Sequence, residues 1–301
     1  MKTRTILIYT TTLIMVLCTS CSGDDDTKDI FSNTYLRIPD ASFEKLLIAK
    51  GIDTDGVVNK QMLKSDAEVV KELNLENLEY GAISDLSGIE GFTNLKRLVA
   101  NQHNIEQIDL GNNILLEEIY LAGNYLSSID VSKNTNTILL DLTANQLTTI
   151  TGLSKLIKLE NLNLSFNYIE ELTMVNTSLE ILHISNNDLI FLDITAAINI
   201  TNVLLTTNKL ITLDISSNKK LQTLLVSDNQ LQSIDLSENK SLTHLHLFSN
   251  MLTNLDVGNN QNLIELKVDR NPGLSCIQIA SGQNIPTVSL SNNQELNVLC
   301  N

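Results

Sequence analysis

Residues 221–241 read LQTLLVSDNQLQSIDLSENKS, with apolar side chains at Leu221, Leu224, Val226, Leu231, Ile234 and Leu236 and with Asn229, Asp235, Ser237 and Asn239 set between them. The spacing begins again at Leu242 and Leu263. Going backwards it begins at Ile200, Leu179, Leu159, Thr137, Leu116, Leu95 and Val70, at intervals of 20 to 25 residues. Composition alone does not produce ten copies of a multi-position pattern. Within a copy, pairs such as Leu162 and Leu164, or Leu245 and Leu247, alternate as a strand with one buried face does. A unit of about 21 residues cannot bury its own apolar side, so each coil is expected to stack on the next. Like strands then align in parallel at about 4.8 Å.

Asn124, Asn145, Asn167, Asn187, Asn208, Asn229, Asn250 and Asn271 recur where the chain leaves this strand. An amide there donates and accepts toward turn backbone that is otherwise buried and unpaired, so the series is expected to be structural. His103 holds the slot in the copy from Leu95, a departure expected to weaken the series at that end. The pattern L-x-x-L-x-L-x-x-N-x-L-x-x-L-D-L-S-x-N resembles leucine-rich repeats over 70–275, at the short length of bacterial, internalin-like members. The resemblance implies an α/β, right-handed solenoid with a parallel β-sheet on its concave face and an N-terminal helical cap. It also implies recognition rather than catalysis. Two copies, from Val70 and from Thr137, replace L-D-L-S with helix-like spacing (Ile83 to Phe92, Ile150 to Leu156), which predicts short helical turns on the back. Short extended segments are expected there in the others.

Outside 70–275 the chain changes character. Ile38 to Ile48 reads as a capped helix ending at Gly51, placing an N-terminal cap at 37–69. Asp53-Thr54-Asp55-Gly56 resembles part of an EF-hand calcium loop. Aligning Gly56 with that loop's glycine puts Gly51 and Met62 at ligand positions, so a glycine turn is expected instead. Residues 276–301 lose the asparagine spacing and are expected to form a C-terminal cap.

The first residues give an address. Lys2 and Arg4 precede an apolar run, Ile6 to Leu17, that is short for a membrane span. Leu17-Cys18-Thr19-Ser20-Cys21 resembles a bacterial lipobox, with Leu displaced one position. The reading is a signal peptide over 1–20, lipidation at Cys21 and an acidic tether over 21–36. Asp24, Asp25 and Asp26 resemble a surface-export tag, which implies an outer-membrane lipoprotein facing outward. Cys276 and Cys300 remain and are expected to pair in an oxidising compartment.

Composition narrows the function. Hydrophobic residues are 43% of the chain but aromatics only 4%, with no Trp, so the core is aliphatic. Lys and Arg number 20 against 35 Asp and Glu, a net charge of −15, which opposes nucleic-acid binding and polybasic attraction to lipid. No G-x-S-x-G, H-E-x-x-H or P-loop occurs, so no enzyme and no cofactor is expected. His244, His246 and Glu265 would make a weak metal site at best and are read as exposed strand polars. Asp109, Asp130, Asp193, Asp214, Asp235 and Asp256 stack at one position. Each is expected to accept N–H groups in its own turn rather than to bind cations.

What remains is the outward face of the strand ladder, where residues vary: Tyr120, Asp141, Asn163, Phe166, His183, Leu204, Leu225, His246, Phe248 and Lys267. The expected function is a monomeric surface scaffold binding a protein or an extended glycan there. The alternative is a structural envelope or matrix component without a discrete ligand.

Overall fold

The computed structural model describes residues 34–76 and 80–300. The signal, Cys21 and the acidic run lie outside them. Eleven parallel strands make the main sheet, each three residues long, from Glu72–Asn74 through Thr223–Leu225 to Thr287–Ser289. The middle residue of each points inward. Ile119, Leu140, Leu182, Val203, Leu224, Leu245 and Leu266 are all fully buried, as is the next apolar position (Leu121, Leu142, Leu164, Ile184, Leu205, Val226, Leu247, Val268). These two columns and those behind them form one continuous core, aromatic only at Phe43 and Phe92. Burying each Leu stabilises by roughly 1.5–3 kcal/mol.

Asparagine columns close the coils. Asn229 Nδ2 donates to Leu205 O of the preceding coil at 3.0 Å and to its own Val226 O at 3.2 Å, while its Oδ1 accepts from Leu210 N at 3.1 Å. Asn124 through Asn271 repeat this geometry. His103 does not interrupt it: its buried Nε2 lies 3.0 Å from Leu75 O, so an imidazole serves where the amide would. Burial holds that imidazole below the usual histidine range, and it is neutral at pH 7. A second column, Asn113, Asn134, Asn176, Asn218, Asn239 and Asn260, closes the far side of the coil. Asn239 Nδ2 donates to Ile215 O at 2.9 Å and to Asn218 O at 3.0 Å.

The back is as the spacing predicts in the two irregular coils, where 3-10 turns run over Ile89–Gly91 and Leu153–Lys155. Short parallel strands also pair on the back, Ser128–Asp130 with Thr149–Thr151, just before the second of these turns, and Glu171–Thr173 with Phe191–Asp193.

At the N-terminal end, Ala41–Ala49 is a helix whose Asp40 cap accepts from Ser42 N at 2.8 Å and Phe43 N at 3.0 Å. The other oxygen of Asp40 accepts from Ser84 N at 2.8 Å and Asp85 N at 3.2 Å, so one carboxylate caps the helix and fastens it to the first coil. Burial alone would raise the pKa of Asp40. The N–H donors of Ser84, Phe43, Ser42 and Asp85 bring it below the usual value. Gly88, at φ 103°, permits this docking, because a Cβ there would stand 2.2 Å from Ile38 Cδ1.

The C-terminal cap expected over 276–301 is not what the structure shows: residues 276–300 continue the solenoid. Thr287–Ser289 is the last strand of the main sheet, and Cys276–Gln278 and Glu295–Asn297 extend the back sheet. Glutamine takes over from asparagine: Gln283 Nε2 donates to Val257 O and Asn260 O, both at 3.0 Å. Gln294 Nε2 reaches Val268 O at 3.1 Å. The extra methylene carries the same amide to the same carbonyls. Cys276 and Cys300 are bonded, with Cα atoms 5.7 Å apart.

Candidate functional site

The broad outer face of the main sheet carries two rows of side chains, from the first and third residues of each strand. In the third-residue row, Tyr120, Asp141, Asn163, His183, Leu204, Leu225, His246 and Lys267 are neighbours in strict register. Eight of the ten candidate residues therefore stand in one line.

Phe166 and Phe248 do not. Both follow their strands, and Phe166 sits in the turn at φ 60°, 56% exposed. Every coil from Gln102 to Arg270 has this left-handed turn residue. It is Gln102, Ala144, Phe166, Asn186, Thr207, Asp228, Ser249 or Arg270, and glycine only at Gly123. The turn is imposed by the flanking asparagine ladder rather than by the residue's own preference, so the usual glycine signal is missing. Phe166 is thereby lifted to the rim of the face. Tyr168 on the same coil and Ile190 and Ile211 on the next two are also about half exposed, as is Phe191, which opens the back strand Phe191–Asp193. Sequence reading missed these four, though Ile190 and Ile211 recur at a repeat position that is polar in most copies.

Charge is unevenly placed. At the N-terminal end Arg97 Nε bonds Glu118 Oε2 at 2.9 Å, and its guanidinium lies 5.1 Å from the Tyr120 ring centre. Tyr120 donates to the same carboxylate at 3.2 Å, and burial followed by the Glu118 charge pushes its pKa up. Towards the other end Lys267 Nζ pairs with Glu265 Oε1 at 2.8 Å, and Arg270 stacks over Phe248 at 4.9 Å. His246 Nε2 lies 3.3 Å from Glu265 Oε2 without making a hydrogen bond. Between these clusters the five strands Leu139–Asp141, Asn161–Asn163, Ile181–His183, Asn202–Leu204 and Thr223–Leu225 present one charged side chain, Asp141. Its Oδ1 is occupied by Thr143, from N at 3.0 Å and from Oγ1 at 2.6 Å. Burial pushes His183 and His246 below the usual histidine range, against the pull of Asp141 on the first and of Glu265 on the second. Both rings are neutral at pH 7.

His244 turns its Nδ1 to Thr243 Oγ1 at 2.9 Å, and among the described residues no three His, Cys, Asp or Glu side chains gather in metal-holding geometry. The aspartate column serves its own turns. Asp214 Oδ1 accepts from Ser216 N at 3.0 Å and Oγ at 2.7 Å, and Asp109, Asp130, Asp193, Asp235 and Asp256 each accept from the N–H two residues on. These bonds hold Asp130, Asp193, Asp214 and Asp235 below the usual carboxylate range.

No known protein-family profile matches the chain, and no curated protein matches it. Solved structures do. The functional domain of InlJ from Listeria monocytogenes superposes with a TM-score of 0.75 at 24% identity, over 89% of this chain and 64% of that one. This chain therefore spans less than two thirds of that domain's length. The InlJ domain includes a cysteine ladder, whereas no cysteine lies between Cys21 and Cys276 here. A leucine-rich repeat protein of Leptospira interrogans, LIC12759, follows at TM-score 0.55 and 20% identity, over 77% of this chain and 74% of that one. TLR13, solved in complex with an RNA, matches at TM-score 0.54 and 19% identity, over 76% of this chain and 45% of that one. By its fold the chain is a leucine-rich repeat solenoid, similar to internalin and Leptospira solenoids.

Proposed function

We propose that the chain is a lipid-anchored protein of the outer-membrane surface that recognises a protein or an extended glycan through the middle of its main-sheet face. The observation that carries this reading is the charge-poor strip over Leu139 to Leu225. In a chain of net charge −15, ten face residues with a single carboxylate are unusual. The centres of recognition surfaces are depleted in charge and rich in aromatic groups. Half-buried Ile181, Leu204 and Leu225 supply an apolar floor, with Phe166 and Tyr168 at the rim. Exposed aromatics are the residues whose truncation commonly costs 2 kcal/mol or more (roughly) in binding. The ion-pair clusters at the two ends frame the strip. A repeat scaffold offers such a face as an extended platform. RNA, the ligand seen with TLR13, is disfavoured here by the sign of the net charge.

The anchor rests on Leu17 to Cys21 and the acidic run behind it. Cys21→Ala is expected to abolish lipid labelling and release the protein, and external protease on intact cells is expected to digest the wild type. A labelled Cys21→Ala chain would refute the anchor. For the face, capture with the anchor-free chain from envelope, glycan and host-surface preparations is expected to yield a specific partner. Finding none in any of them would favour a structural envelope component.

A further inference from the structure

The two ends of the solenoid are finished differently. At the N-terminal end Asp40 fastens the helix Ala41–Ala49 to the first coil, and Leu73 and Leu75 of that coil are buried. At the other end the core columns come to the surface. Leu266 and Val268 are fully buried, but Val288 and Leu290, their counterparts one coil on, are only half-buried. On the back Ile277 is fully buried and its neighbour Leu296 half-buried. Val298 and Leu299 are exposed. Thr287–Ser289 and Glu295–Asn297 are the edge strands of their sheets, and no strand lies beyond either among the described residues.

The open backbone is confined to the main-sheet strand. In the coil before it, Ile264 O accepts from Thr287 N and Val268 N donates to Ser289 O, both at 3.0 Å. Pro286 O and Leu290 N, the equivalent groups at the edge, have no such strand to bond, and the ladder pattern puts the N–H and C=O of Val288 on the same open side. The turns after it are closed from within: Ser291 N donates to Gln294 Oε1 at 2.8 Å and Cys300 N to Gln278 Oε1 at 2.9 Å. A further coil would need those N–H groups, whereas a single added strand needs only 286–290. Natural sheets protect such edges with charge, a helix or a covering loop, and Thr287, Val288 and Ser289 carry no charge. The neutrality extends further. Residues 271–300 hold one charged side chain, Glu295, in a chain that is 18% charged with a net charge of −15. Two such chains repel over most of their surface, and this end is where a like chain can approach. An unrelated partner is steered to an acidic protein by opposite charge, which this end does not invite. We infer that two copies join here tail to tail, in place of the monomer expected from sequence. With Val288 opposite Val288 in antiparallel register, that pair exchanges both its bonds and Leu290 N reaches Pro286 O of the second copy. The two-fold axis stands normal to the sheet, so the two main-sheet faces look the same way.

The test is sedimentation equilibrium of the full chain in density-matched detergent, over a series of protein concentrations at low and raised salt. We expect a mass of two chains, with association tightened by salt because it screens the repulsion between acidic partners. In this register residue 287 of one chain opposes residue 289 of the other. Thr287→Lys/Ser289→Lys and Thr287→Glu/Ser289→Glu should therefore each weaken the dimer roughly tenfold or more, since like charges face each other across the seam. Both should melt within a few degrees of wild type. Mixing the two variants should restore a dimer, which a folding defect would not do. Thr223→Glu, on the same face of an interior strand, should dimerise as wild type and serves as the control. A monomer at every concentration would overturn the inference and leave the end to a strand of another protein. So would a mass that climbs past two chains, dissociation by salt, a dimer unchanged in both double variants, or two folded variants that stay monomeric when mixed.

Discussion

Asn229 and Asn239 lie on one coil, both buried, at 8% and 0% exposure, and replacing each with Ala should give unequal losses in the order opposite to burial. A bare count of bonds gives Asn229 four, three donated by Nδ2 and one accepted by Oδ1. The neighbours change the arithmetic. Leu205 O also accepts from Asn208, Val226 O from Asn250, and Ser227 O from Thr207 N, so no carbonyl is orphaned by the substitution. Leu210 N donates to Asn229 Oδ1 and is left buried without a partner. An orphaned buried donor costs about 1–3 kcal/mol. With the lost donor bonds, the total for Asn229→Ala is about 3 kcal/mol. Asn239 donates to Ile215 O and Asn218 O, which also accept from Asn218 N and Leu221 N. Its own Oδ1 has no partner to lose. Asn239→Ala should therefore cost only about 1–2 kcal/mol. Urea denaturation of the two variants against wild type, followed by far-ultraviolet circular dichroism, measures the difference. Equal losses, or a larger loss for Asn239→Ala, would refute the claim that the accepted N–H separates the two columns.

Three further outcomes follow from the same structure. Asp53, pushed up to about 6 by burial and then by the charges of Asp55, Glu44 and Asp66, with the Asp55 N–H only partly offsetting them, binds its proton more tightly folded than unfolded. Stability should therefore fall as pH rises from near 4 to about 6. Asp53→Asn should flatten that slope and gain up to about 3 kcal/mol at neutral pH, whereas a slope identical to wild type would be inconsistent with the burial. Thr207, β-branched at φ 61° and exposed, should gain about 0.5–1 kcal/mol on conversion to Asn, which tolerates the left-handed turn; a lower melting temperature would contradict this. Reducing Cys276–Cys300 should destabilise by about 3 kcal/mol in the chain-entropy treatment of the loop between them. The loss should appear as faster amide exchange confined to the last coils, and uniform exchange along the chain would be unexpected.

Much of this architecture was legible because the repeat writes each residue's environment many times over. Leu224 and Val226 declare a buried strand face, Asn229 a turn, and Asp235 with Ser237 a self-satisfied bend, and all hold in three dimensions. What misled was chemistry that keeps its role while changing its letter. His103 looked like a gap in the asparagine series, yet it reaches the same class of carbonyl. Gln283 and Gln294 looked like the end of the ladder and carry it onward. Phe166 looked like a strand residue because its left-handed turn has neither glycine nor asparagine to mark it. Asp53 was read as part of a glycine turn, and its burial comes from packing in the cap that periodicity does not reveal. The candidate face was readable in outline through its variable residues. Its charge-poor centre becomes evident only when the strands are laid side by side.

The claim that this centre is the recognition surface is tested most directly by the affinity of a captured partner for a Leu204→Asp/Leu225→Asp double variant. The control is Asp214→Asn/Asp235→Asn on the back of the neighbouring coils. Two carboxylates introduced into the charge-poor strip should weaken binding at least a hundredfold, about 2.7 kcal/mol, with the melting temperature held within a few degrees, and the back-face control should bind as wild type. If the front variant keeps wild-type affinity while the back variant loses it, recognition lies on the aspartate side and the assignment of this face is wrong.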